Sequence, residues 1–127
     1  IAAGAGFVAR SFSGRKDHLI SVMKQAIEYP GYALVDIFQP CVSFNKINTF
    51  AWYNQRVYEL DESYDPTNKI GALEKAMEFG DRIPIGVIYR EDGQNFHEKN
   101  RTLQDGVPLL EKELKPEVIG DFIQEFV

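Results

Sequence analysis

The pattern that most narrows the fold lies between residues 7 and 38. "FVAR" (7–10) reads as a short strand and "SFSGRKD" as a turn. In "HLISVMKQAIEY", Leu19, Ile20, Val22, Met23, Ala26 and Ile27 recur at helical spacing. Asp17 stands where a first-turn acid favours a helix start, and Pro30–Gly31 is a strong stop. "YALVDIF" (32–38) then gives a near-continuous apolar run of strand length, broken only by Asp36. Such a run suits a strand covered on both faces of a parallel sheet. Strand, helix and strand in so short a span predict a parallel βαβ unit.

Further along, Thr49 is placed to cap a short helix running through Trp52 and Arg56. "DESYDPTN" reads as a loop. "KIGALEKAMEFG" predicts a helix with Ile70, Leu73, Ala76 and Met77 inward and Gly80 as its stop. "IPIGVIY" (83–89) reads as a second buried strand, and "REDGQNFHEKNRTLQDG" as a long loop or hairpin. "KPEVIGDFIQEFV" predicts a closing helix, with Pro116 in its first turn and Val118, Ile119, Phe122, Ile123 and Phe126 on one stripe.

With 127 residues, 44% of them apolar and 26% charged, the chain is long enough to bury one core. Its net charge of −5 divides into +2 over residues 1–60 and −7 over residues 61–127. No concentrated basic face is implied, which argues against nucleic acid as a partner. There is no run of 18 apolar residues, so no helical membrane span and no membrane partner are expected. A single cysteine forms no internal disulfide, which fits a reducing, cytoplasmic setting. The opening "IAAGAGF" lacks an initiator methionine and reads like the middle of a fold, as in a fragment of a longer protein.

Few residues carry chemistry. Cys41 follows Phe38 by three residues, at the carboxyl end of the strongest strand, where ligands sit in open α/β sheets. Pro40 stiffens its approach. Residue type alone leaves two readings open for this thiol: a ligand or nucleophile, or a small buried hydrophobe. His18 beside Asp17 is either an acid–base couple or, the plainer reading, a solvated helix terminus; His97 beside Glu98 is read the same way. Neither histidine has a partner at metal-ligand spacing. Gly4 and Gly6 are too few to cradle a phosphate, and Gly14 and Gly86 read as turn and packing residues. Phe50, Trp52 and Tyr53 read as packing for a subunit interface rather than a nucleotide-stacking platform, since no basic groove accompanies them.

The stretch "AAGAGFVARSFSGRKDHLISVMKQAIEYPGYALVDIFQPCVSFNKINTFAWYNQRVYEL" resembles the carboxyl-terminal half of the β subunit of 2-oxoacid:ferredoxin oxidoreductases. "QPCVSFNKIN" leading into "WYNQRVY" is the specific part, supported by "GFVARSFSG". The likeness continues more loosely through "NKIGALEKAMEFGDRIPIGVIYRED". The resemblance implies an α/β chain: a partial thiamine-diphosphate-binding fold with the βαβ unit, then a carboxyl-terminal α/β extension, divided as residues 1–48 and 49–127. It implies oxidative decarboxylation of a 2-oxo acid to acyl-CoA and CO2, with electrons passing to ferredoxin and with other subunits as partners.

The family's cofactors are thiamine diphosphate, Mg²⁺ and a 4Fe–4S cluster. Cys41 maps onto the fourth cysteine ligand of the cluster, the other three lying in the amino-terminal half. No catalytic residue is implied in this stretch. Asn45 and Lys46 would follow the ligand closely, either as loop-surface residues, the plainer reading, or as donors of hydrogen bonds and positive charge around the cluster. The family's Gly-Asp-Gly segment does not occur here, so the chain alone is expected to bind neither cofactor nor cluster and to be inactive. The reading of another class is a non-catalytic α/β interaction module whose acidic half binds a protein. A thiol redox protein is disfavoured by the lack of a C-x-x-C pair.

Overall fold

The structure is a computed structural model that describes residues 1–113, 120, 123 and 124. Two compact units divide it, residues 1–95 and residues 96–127.

The first unit is mixed α/β. In chain order it holds β1 (Phe7–Phe12), α1 (Lys16–Glu28), β2 (Ala33–Phe38), α2 (Phe50–Asn54), β3 (Val57–Glu59), α3 (Lys69–Met77) and β4 (Ile83–Arg90). The four strands form one sheet in the order β2-β1-β4-β3. β1 runs parallel to β2, from Phe7 opposite Ala33 to Phe12 opposite Phe38, which is the expected βαβ unit. It runs antiparallel to β4, with an irregularity between Val8 and Ala9, while β3 and β4 are parallel. The sheet is therefore mixed, and it joins strands from both sides of residue 48.

Alternation along β1 divides the core between two faces. Phe7 and Ala9 meet Val22 and Tyr29 around α1, whereas Val8 meets Ala72 of α3 together with Ile88 and Tyr89. A third cluster gathers Phe12, Val57, Ile83 and Ile85 under Phe38, Trp52 and Tyr53. Gly86 has a φ of +137°, and a Cβ there would stand 3.2 Å from that of Leu60. Backbone and space both select glycine at that point.

Several expectations change in detail. In α1 the packed side chains are His18, Leu19, Val22, Gln25 and Ala26, followed by Tyr29. Ile20, Met23 and Ile27 of the expected apolar face point outward, Ile27 being 80% exposed. α3 is inverted in the same way. Ala72 and Ala76 pack inward, while Ile70 and Met77 are 72% and 75% exposed and Leu73 is also exposed. The helix is capped by Asn68, whose Oδ1 accepts from Gly71 N, and it ends at Met77, before Gly80. β2 is an edge strand among the described residues, with Leu34 and Ile37 exposed, rather than covered on both faces. β3 has no counterpart in the sequence reading.

Asp36, the break in the apolar run, has a structural partner. It faces Arg10 in register, and Arg10 Nε donates to its Oδ2 at 3.2 Å. Arg10 Nη2 donates to Ala76 O at the end of α3, and the guanidinium lies 5.4 Å from the centre of the Phe38 ring. One arginine thus ties two strands to a helix. Its Nη1 is buried without a hydrogen-bond partner among the described residues. A second polar set joins β3 to α3. Tyr58 Oη donates to Glu78 Oε2, and Lys75 Nζ donates to Glu78 Oε1, each at 2.5 Å. The Lys75 ammonium, then the tyrosine hydroxyl, hold the Glu78 carboxyl below the usual carboxylate range.

Ser11 is fully buried on β1, and its Oγ shares a 2.9 Å hydrogen bond with His18 Nδ1. This pair satisfies a hydroxyl that would otherwise be stranded in the core. Burial is the main force pushing the His18 pKa down; Glu59 opposes the shift and Arg15 assists it.

The second unit holds α4 (Phe96–Lys99), which interrupts the expected long loop, then turns and a short 3₁₀ segment at Leu109–Glu111. Lys112 Nζ bonds Asp105 Oδ2 at 2.8 Å and also donates to Thr102 O. The expected closing helix over residues 115–127 lies outside the described residues except for Gly120, Ile123 and Gln124, which are helical.

Two expectations follow for stability. Phe12 is fully buried and stacks on Tyr53 at 5.4 Å, so Phe12→Ala should cost about 3–5 kcal/mol in denaturant unfolding. A loss below about 1 kcal/mol would contradict this packing. For His18 the folded pKa is depressed, so the unfolded chain binds the extra proton first. That part of the stability is full above about pH 6.5 and is lost as pH falls through the folded value. His18→Gln should therefore flatten the acid side of the thermal-midpoint profile; an unchanged slope would remove the histidine from that role.

Candidate functional site

The segment between β2 and α2 is an eleven-residue loop, 39–49, that carries the only cysteine of the chain. Both of its ends are pinned by rings. Phe38, the last residue of β2, stacks on Tyr53 at 5.1 Å, and Phe50, the first of α2, lies 5.8 Å from Phe12. Phe12 and Tyr53 are themselves stacked, so the two feet of the loop share one aromatic base. Trp52 meets Tyr53 edge-on at 4.9 Å and carries the Arg56 guanidinium 4.3 Å from its ring centre. Within this chain these aromatics pack on one another.

Between the feet, residues 41–47 are all exposed, so core packing does not fix their conformation. Hydrogen bonds inside the loop do. Cys41 O accepts from Phe44 N at 3.2 Å and from Asn45 N at 2.9 Å, closing one turn. Asn45 Oδ1 accepts from Ile47 N and Asn48 N, both at 2.9 Å, and its Nδ2 donates to Asn48 Oδ1. Lys46 Nζ folds back to donate to Val42 O at 2.6 Å. Thr49 Oγ1 then accepts from Trp52 N to start α2, the cap read from sequence.

Cys41 is exposed, so within this chain the reading as a small buried hydrophobe falls. Its neighbours Val42, Phe44 and Ile47 are apolar and turned to the surface, Phe44 being 91% exposed. Among the described residues no three His, Cys, Asp or Glu side chains are grouped to hold a metal ion. Within the first unit, Cys41 and His18 therefore belong to no such group. His18 is a half-buried partner of Ser11, not a solvated helix terminus, and the carboxylate acting on it is Glu59 rather than the adjacent Asp17. His97 lies exposed in α4, edge-on to Phe96.

Sequence reasoning missed a cleft of about 300 Å³ in the first unit. His18, Ser21 and Gln25 of α1 line it, with Asp61 and Tyr64 from the loop after β3 and Gly86 of β4. Tyr64 Oη is engaged, donating to Ile88 O at 2.6 Å. These residues come from three distant segments, and no local spacing marks them. No helix among the described residues is long and apolar enough to cross a membrane.

Comparison with known proteins now bears on this geometry. Residues 41–105, half of the chain, match the family described as the C-terminal region of the pyruvate ferredoxin oxidoreductase beta subunit. A 2-oxoacid:ferredoxin oxidoreductase subunit beta from Saccharolobus solfataricus is 36% identical over 98% of this chain and 48% of its own length. The protein of the same description from Sulfolobus sp is 41% identical over 72% of this chain and 34% of its own. A solved 2-oxoglutarate:ferredoxin oxidoreductase from Magnetococcus marinus, with 2-oxoglutarate, coenzyme A and succinyl-CoA bound, superposes with a TM-score of 0.78 at 28% identity. That match covers 94% of this chain and 41% of the solved one. The chain thus spans between a third and half of the curated relatives it matches. With its loop, sheet and sequence all in agreement, the chain belongs to the family of 2-oxoacid:ferredoxin oxidoreductase β subunits, in their carboxyl-terminal part.

Proposed function

We propose that this chain completes the β subunit of an enzyme that oxidises a 2-oxo acid to acyl-CoA and CO2 and reduces ferredoxin, and that Cys41 supplies one thiolate ligand to its 4Fe–4S cluster. The observation that carries the reading is an exposed sulfur on a braced loop at the carboxyl end of a sheet strand, in a chain of this family. Bound there, such a cluster accepts and passes on single electrons.

The donor chemistry fits one corner of that cluster. A thiolate is its usual ligand, and four are the usual complement. One cysteine in this chain leaves three thiolates to come from outside it. The apolar Val42, Phe44 and Ile47 suit a site from which water is to be kept, since solvent access sets the potential of such centres. Lys46 and Asn45 make their hydrogen bonds within the loop, and Asn45 in particular uses its amide on backbone and Asn48 contacts. For Mg²⁺ the described residues offer no group of three His, Cys, Asp or Glu side chains. We assign the contacts of thiamine diphosphate and Mg²⁺ to the part of the subunit beyond this chain.

In this reading residues 1–48 finish the cofactor-binding domain and residues 49–127 form an extension that meets the partner subunit, within a cytoplasmic enzyme. The outward stripes Ile20–Met23–Ile27 and Ile70–Leu73–Met77 face the rest of the assembly.

Two outcomes are expected. In the intact enzyme Cys41→Ala should lower ferredoxin reduction by about tenfold or more, together with visible absorbance and iron content. Full iron in that variant would refute the ligand assignment. The 127-residue chain alone should bind a hydrophobic dye or self-associate through its bare faces; a dye-silent monomer would point instead to a self-sufficient domain.

A further inference from the structure

We infer that Asn45 is the positioning residue that holds the Cys41 sulfur ready for ligation; this rests on the reading of Cys41 as a ligand. The loop has no core to lean on, because residues 41–47 are exposed. Its ends are anchored by Phe38 and Phe50, but rings at the feet do not orient a residue between them. Orientation comes from the hydrogen bonds inside, and they converge on Asn45. Its backbone N–H closes the turn onto Cys41 O at 2.9 Å. Its Oδ1 takes the N–H groups of Ile47 and Asn48, and its Nδ2 reaches Asn48 Oδ1 at 3.0 Å.

The turn that bears the sulfur is thereby joined to the segment that enters α2, because Asn45 bonds the first through its backbone N–H and the second through its side-chain amide. Lys46 makes one bond from a flexible stem and ties only Val42. A loop held in this way loses little freedom when its thiolate is captured, whereas a slack loop pays that ordering cost on binding. The short amide suits the task. Its oxygen accepts two backbone donors that would otherwise turn to water, and it does so without a charge beside the sulfur.

The test uses the assembled enzyme carrying full-length β subunit as wild type, Asn45→Ala, Asn45→Asp and Cys41→Ala. The rate at which iron passes to a ferrous chelator is measured, with the paramagnetic resonance spectrum of the reduced cluster and the thermal midpoint. Asn45→Ala should release iron about tenfold faster, with a broadened spectrum and an unchanged midpoint. Asn45→Asp keeps the Oδ1 acceptor but loses the Nδ2 donor and adds a charge, so it should release iron more slowly than Asn45→Ala and faster than wild type. Wild-type release from Asn45→Ala, or release from Asn45→Asp as fast as from Asn45→Ala, overturns the inference. A Cys41→Ala enzyme that keeps its cluster overturns the ligand reading itself, separately from the Asn45 result. Should Asn45→Ala fail to assemble, Asn48→Ala, which removes only the Nδ2 partner, stands in. Asn45→Asp holding iron at least as well as Asn48→Ala supports the role, and Asn45→Asp losing it faster overturns it.

Discussion

The pairing of β1 on both edges is the constraint on which the rest depends. It lies parallel to β2 on one side and antiparallel to β4 on the other, and its alternate residues supply opposite faces of the core. Phe7 and Ala9 receive α1, Val8 receives α3, and Phe12 lies under the aromatic base of the Cys41 loop. One strand of six residues thus decides where each helix docks and where the loop stands. Its only polar core residue, Ser11, is satisfied by His18, so the helix start is registered to the strand by a hydrogen bond as well as by packing.

The local grammar of the sequence was readable wherever a signal is short-range. The βαβ unit, the Pro30–Gly31 stop, the Thr49 cap and the strand at 83–89 all stand where spacing and propensity put them. Facing was harder. α1 carries apolar residues on two sides, and periodicity cannot say which side meets the sheet of this chain. Val22 and Ala26 with Tyr29 do so, leaving Ile20, Met23 and Ile27 outward. In α3 the small Ala72 and Ala76 allow close approach to the sheet, so the larger Ile70 and Met77 are on the far side. Likewise "YALVDIF" encodes a covered strand, and in this chain it is an edge. β3 went unread because three residues hold too little alternation to stand out, and the antiparallel join of β4 to β1 is a long-range fact with no local mark.

For the site, sequence and structure contribute different things. Position after the strand and the "QPCVSFNKIN" resemblance single out Cys41; the structure adds that the thiol is exposed and that its loop is held from within. Asn45 reads from the sequence as a loop-surface residue or a hydrogen-bond donor near the cluster, and the structure adds that its amide oxygen accepts from the loop backbone. His18 looked like a solvated terminus because its buried partner, Ser11, belongs to another element. Side-chain roles that span elements were invisible to spacing for that reason.

The Arg10–Asp36 pair has a consequence for the geometry of the thiol. The two residues are direct neighbours across the β1–β2 ladder, and Asp36 stands two residues before the strand gives way to the loop. Slide β2 by a single position and every side chain changes pleat, so carboxylate and guanidinium part and the sulfur would set out from the opposite side of the sheet. The ion pair therefore acts as a ruler. It measures out the chain between helix and loop, and it penalises any insertion or deletion in between.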